Sequence, residues 1–242
     1  MKKKVLTVLS SIAIALAALP TYSVNASENL SSTLIKTEQY ELKGESFEVE
    51  TWQDQFGIEM ITIPTDVVNK VEVAEFVTEL YSSKPKIQPY GIFDYWSKSL
   101  YGEASNSANA VSELTTSGYT EHAFLFPATA HVLAIDEGDL KVSWLGAGYP
   151  DKIVITYNYN FSATSLTISY PPSLELKNKI VSYTSLPVED EWYVLTTTEA
   201  ASGQSRTFLN GVTITAGGDI YKGSYIYKPR ASKYVSFEAP YL

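Results

Sequence analysis

Cysteine is absent from all 242 residues. No disulfide, thiolate metal site or acylated lipobox cysteine is available, so any fold must be held by its apolar core. Histidine is almost as scarce, with His122 and His131 the only two, and neither sits in an HExxH arrangement. A GxSxG nucleophile elbow is also missing. Arginine is limited to Arg206 and Arg230 in a chain of net charge −9, which argues against neutralising nucleic-acid phosphates. The same balance disfavours nonspecific attraction to anionic lipid. Beyond the first two dozen residues no apolar run approaches the ~20 residues of a spanning helix, and no LPxTG sorting sequence occurs.

The chain opens on Lys2, Lys3 and Lys4, followed by an uncharged apolar run from Val5 to Leu19. Pro20 breaks that run, and Val24-Asn25-Ala26 places small residues before a cleavage point. These are the parts of a secretory signal peptide over residues 1–26, and the protein is expected to be secreted. A lysine-rich signal with no cysteine behind it fits a bacterial, Gram-positive source. Cleavage would remove three of the 18 basic residues and none of the 27 acidic ones, deepening the net charge to −12.

The remaining chain divides by composition. Residues 27–90 hold 12 acidic and 5 basic side chains, whereas residues 91–242 are much less acidic for their length. Ser82-Ser83-Lys84-Pro85-Lys86-Ile87-Gln88-Pro89 punctuates the boundary. Within 27–90, Phe47, Val49 and Thr51 alternate with glutamates as a strand does, and Gln53-Asp54-Gln55 turns into a second apolar run ending at Pro64. Thr65 and Asp66 can open a helix, and Val73, Phe76, Val77 and Leu80 recur at helical spacing, predicting a helix over 66–81. This acidic α+β segment is either a propeptide or part of the fold.

Residues 91–242 read as a β-rich body. The stretch 91–119, aromatic and then rich in Ser, Asn and Ala, is expected to be a long loop with a helical piece at 108–114. From Thr120 onward short alternating runs follow one another, with turns expected at Asn210-Gly211 and Gly217-Gly218-Asp219. The expected fold is mainly β: an antiparallel β-sandwich or barrel body carrying the small acidic α+β segment.

Chemistry is sparse. Glu121 and His122 are adjacent on a strand and face opposite ways, so neither can orient the other for catalysis. No catalytic residue, no metal site and no cofactor is assigned; Asp136-Glu137-Gly138-Asp139 lacks the EF-hand ligand pattern and reads as an acidic turn.

Tyrosine is abundant, with 18 copies beside 9 Phe and 4 Trp. Read as one strand, DIYKGSYIYKP puts Tyr221, Tyr225 and Tyr227 on one face, where they are the candidate ligand-binding residues. The run from Lys152 to Tyr170 alternates Ile153, Ile155, Tyr157, Tyr159 and Phe161 with Thr156, Asn158 and Asn160, as a core strand or an inserting hairpin would.

The expected function is a secreted, non-enzymatic binding protein for an extracellular polysaccharide or protein surface. A secreted β-pore-forming or bacteriocin-like toxin inserting the 152–170 hairpin is the alternative, with membrane as its partner. A hydrolase using a carboxylate pair ranks third.

Overall fold

The computed structural model describes residues 32–82, 93–125 and 128–237. The signal peptide expected at 1–26 and most of the linker expected at 82–89 lie outside these residues. The described residues form two antiparallel sheets and one helix, and the sheets do not close into a barrel.

The first sheet begins with β1 (Thr33–Leu42), β2 (Glu45–Gln53) and β3 (Glu59–Thr62). The turn after β2 forms as its residues dictate: Asp54 Oδ1 accepts from the backbone N–H groups of Phe56 and Ile58, at 2.8 and 2.9 Å. Helix α1 (Lys70–Tyr81) follows, starting one turn later than Thr65 suggests. Thr65 instead accepts a hydrogen bond from Glu48 N.

The α1 residues Val73, Ala74 and Val77 are buried, and Thr78 Oγ1 pairs with the Tyr193 hydroxyl at 2.9 Å. Lys70 is buried as well. Its ammonium donates to Gly146 O and Gly148 O at 2.9 Å each, pairs with Asp66, and lies over the Trp192 ring.

The stretch expected to be a loop is the longest hairpin in the molecule. β4 (Phe93–Ala104) and β5 (Ser107–Leu125) pair from Ala104↔Ser107 to Phe93↔Glu121. The small residues that look like loop are packing residues here, with Ala104, Ala110, Ser112, Thr116 and Thr120 buried. A Cβ on Gly118 would meet Ala134 O at 2.1 Å and the Trp96 ring. Close approach overrides weak strand propensity.

The other edge of β5 is covered by β6 (Ala128–Ile135) and then β7 (Gly138–Trp144), which read as one strand interrupted at Asp136–Glu137. In the same manner β13 (Tyr193–Thr198) covers β7 and β14 (Ala201–Ser205) covers β6. β3 pairs with β13, so β1–β3 extend this ten-stranded sheet.

The second, seven-stranded sheet is built on β8 (Lys152–Ala163) and β15 (Leu209–Lys222), paired along twelve positions. β10 (Glu175–Lys177), β11 (Ile180–Thr184) and β12 (Val188–Glu189) lie on the β8 side. β16 (Tyr225–Tyr227) and β17 (Arg230–Ser236) lie on the β15 side. Neither glycine signal in β15 is a turn. Asn210-Gly211 sits where the register with β8 shifts by one residue, the bulge use of glycine. Gly217 lets β17 approach so closely that a Cβ would stand 2.0 Å from Pro229 O.

The 152–170 run is not a hairpin. β8 belongs to the second sheet, while β9 (Thr167–Ser169) pairs with β14 in the first. Ile153, Ile155, Tyr157, Tyr159 and Phe161 are at most 1% exposed and face the first sheet. Their tyrosine hydroxyls are satisfied inside the core: Tyr159 donates to Glu199 O, and Tyr157 accepts from Glu199 N, at 3.0 Å each. Tyr183 stacks on Tyr157 and donates to Asp54 Oδ2. This aromatic row is interior packing.

Candidate functional site

Pairing register and the two-residue period of strands fix the outward face of the second sheet. Opposite residues of antiparallel neighbours share a face, so rows can be followed across four strands. The central row is Ser182 on β11, Asn158 on β8, Thr215 on β15 and Ser232 on β17. On one side of it lie Ile180, Asn160, Thr213 and Tyr234; on the other lie Thr184, Thr156, Gly217 and Arg230. Strand spacing makes each row about 14 Å wide and successive rows about 7 Å apart.

Eleven of these twelve positions are uncharged, and nine carry a hydroxyl or a carboxamide. Thr215 Oγ1 and Ser232 Oγ are bonded to each other at 3.0 Å. The single charge, Arg230, bonds Asp219 Oδ1 and the Gly218 carbonyl, and Lys228 Nζ lies 3.3 Å from Asp219 Oδ2. Arg230 is therefore ion-paired at the rim. Tyr234, about half exposed, marks one end of the face. Tyr221, with Lys152 Nζ 4.8 Å from its ring centre, marks the other. Eight residues of β15 separate the Tyr234 row from Tyr221, a span of about 27 Å.

The structure does not place Tyr221, Tyr225 and Tyr227 in one row. A two-residue loop at Gly223-Ser224, with Gly223 at φ +59°, folds the segment into a hairpin that pairs Lys222 with Tyr225 and Tyr221 with Ile226. Tyr221 therefore faces outward with Ile226, while Tyr225 and Tyr227 share the opposite face with Lys222 and Ile220. Tyr227 packs 5.0 Å from Trp144, and Tyr225 follows at 6.2 Å from Tyr227. Lys222 Nζ lies 5.3 Å from the Trp144 ring centre and donates to Tyr149 O at 2.6 Å. These two tyrosines close the end of the sandwich; only Tyr225 is largely exposed.

The acidic positions offer less. Asp136 accepts from Ser117 Oγ and donates its N–H to Ser117 O, fixing the interruption between β6 and β7. Among the described residues no group of three or more His, Asp or Glu is placed to hold a metal ion. Glu59, Glu137 and Glu199 line a shallow cleft of about 250 Å³. Burial and the Glu137 charge push the Glu199 carboxyl above its usual range. Glu191 is perturbed most among the carboxyls. Only 4% exposed, it is pushed up to about 8 by burial, with repulsion from Glu50 and Asp190 adding to the shift.

Sequence reasoning missed Tyr234 and the Ser/Thr/Asn rows. The alternation of Thr156, Asn158 and Asn160 was visible, but their neighbours on β11, β15 and β17 follow only from register. Comparison with family models, with curated proteins and with solved structures finds no match for the chain.

Proposed function

We propose that the protein is a secreted, non-enzymatic binding protein whose outward face on the second sheet takes an elongated, uncharged polysaccharide. One observation carries the reading: the register aligns Ser182, Asn158, Thr215 and Ser232 between two further rows, and Arg230, the one charge among those twelve positions, is paired with Asp219. Hydroxyl and carboxamide groups can each donate and accept, matching the mixed hydrogen-bonding of sugar hydroxyls. Tyr221 and Tyr234 supply flat apolar surface at the two ends for stacking on sugar rings. The sheet backbone beneath is fixed by pairing on both edges of β8 and β15, so little ordering is needed on binding.

Affinity electrophoresis through gels containing neutral glucan, xylan or glycol-chitin tests the proposal. Retardation in at least one gel is expected, weakened at least tenfold in Tyr234→Ala and Tyr221→Ala proteins with unchanged melting temperature. Equal mobility in every gel, or retardation untouched by both substitutions, would overturn it.

A further inference from the structure

The only two histidines of the chain stand directly opposite each other. His122 on β5 pairs with His131 on β6, and their ring centres are 4.7 Å apart at an interplanar angle of 70°. Each ring also meets Phe237 edge-on at 5.1 Å. The pair is half-buried in the wall of an open cavity of about 510 Å³, completed by Thr207, Phe208, Leu209 and Asn210.

We propose that His122 and His131 form a two-histidine site for a divalent late transition metal, Cu²⁺ or Zn²⁺. Metal–nitrogen bonds of about 2.0–2.1 Å, with about 1.1 Å more to each ring centre, put two cis imidazoles on one ion about 4.5–5.2 Å apart, centre to centre. The observed 4.7 Å lies inside that window.

Two imidazoles leave the remaining coordination positions to water from the open cavity. The site is independent of the polysaccharide face and does not rest on it.

Equilibrium dialysis of the full chain against Cu²⁺ alone and Zn²⁺ alone tests the site. One ion per chain at micromolar concentration is expected for at least one of the two metals, with affinity falling at least tenfold in His122→Gln and in His131→Gln. Electron paramagnetic resonance of the Cu²⁺-loaded wild-type protein gives a readout that needs no variant. Splitting from two imidazole nitrogens is the expected spectrum. Absence of micromolar binding, equal binding by the double variant, or a spectrum with fewer than two nitrogens would overturn the assignment.

Discussion

The outward face of the second sheet and the acidic flank built by β1, β2 and α1 solve the same problem of meeting water in opposite ways. The flank is covered with charge, partly paired across elements: Lys36 with Glu38, Lys43 with Glu72, and Gln39 bonded to Glu48. Such exposed pairs contribute little stability, about 0–1 kcal/mol each, but they keep an edge strand solvated and discourage its pairing with other chains. The twelve positions of the second face hold little charge to perform that service: Arg230 alone, beside Ser, Thr, Asn, Gly, one Ile and one Tyr. A neutral, hydroxyl-rich sheet face is specialised, because ordinary surface would mix in Lys and Glu. On the proposed reading, charge is placed where the protein must stay separate and withheld where a ligand is to be touched.

The contrast breaks most severely from beneath. Ile155 is fully buried on the inward side of β8. Ile155→Asp places an unpartnered charge in the core, costs several kcal/mol and is expected to unfold the protein. Loss of near-ultraviolet circular dichroism would report it, and a folded Ile155→Asp protein would contradict the assignment of that face to core.

Glu191, buried and repelled by Glu50 of β2, predicts a pH dependence that the neutral face does not have. Glu191 near β3 titrates at about 8 in the folded protein against an ordinary value near 4.5. The folded state therefore binds the extra proton between those limits. Stability from this group is full below about pH 4.5, declines as pH rises toward 8, and is flat above it. Glu191→Gln removes that slope and raises stability at pH 8 by a few kcal/mol at most. Denaturant midpoints at pH 5, 7 and 8.5 for both proteins check it, and parallel pH profiles would refute the prediction.

A smaller effect sharpens how the neutral face is built. Gly217→Ala sets a methyl against Pro229 O, where no space exists, and should cost about 1–3 kcal/mol as β17 is pushed from β15. A melting temperature equal to wild type would show that β17 yields freely. The smallest effect on stability belongs to Asn158→Lys, at an outward position of β8. A shift within about 0.5 kcal/mol is expected, together with loss of polysaccharide retention, since the ammonium stands in the central row. Retained binding with unchanged stability would mean that the row is only surface.

The parts legible in the sequence were those governed by local period. The alternation at 153–161 identified a buried strand, the helical spacing of Val73, Phe76, Val77 and Leu80 identified α1, and Asp54 identified the turn after β2. What failed depended on neighbours. β4 and β5 were unreadable because their small residues are packed, not because the chain is loose there: Ala110 and Ser112 are buried, and a Cβ on Gly118 would meet Ala134 O and the Trp96 ring. Gly211 and Gly217 resembled turns because glycine also serves bulges and close strand approach. The tyrosine row failed for a related reason. Parity along one strand put Tyr221 with Tyr225 and Tyr227, but a tight turn at Gly223 reverses parity, and only Tyr221 remained on the outward face. Tyr234, 74 residues from its row partner Asn160 by way of Thr213, could be found only once the sheet order was known.

The central claim is that the uncharged rows, and not the aromatic end of the sandwich, meet the ligand. Nuclear magnetic resonance of the ¹⁵N- and methyl-labelled protein titrated with a soluble neutral oligosaccharide, chosen by the gel that retards it, tests this most directly. Shifts are predicted at the side-chain amides of Asn158 and Asn160 and the methyl groups of Thr156, Thr213 and Thr215, with Trp144 unmoved. Shifts centred on Trp144, Tyr225 and Tyr227, with the carboxamides of β8 silent, would contradict it.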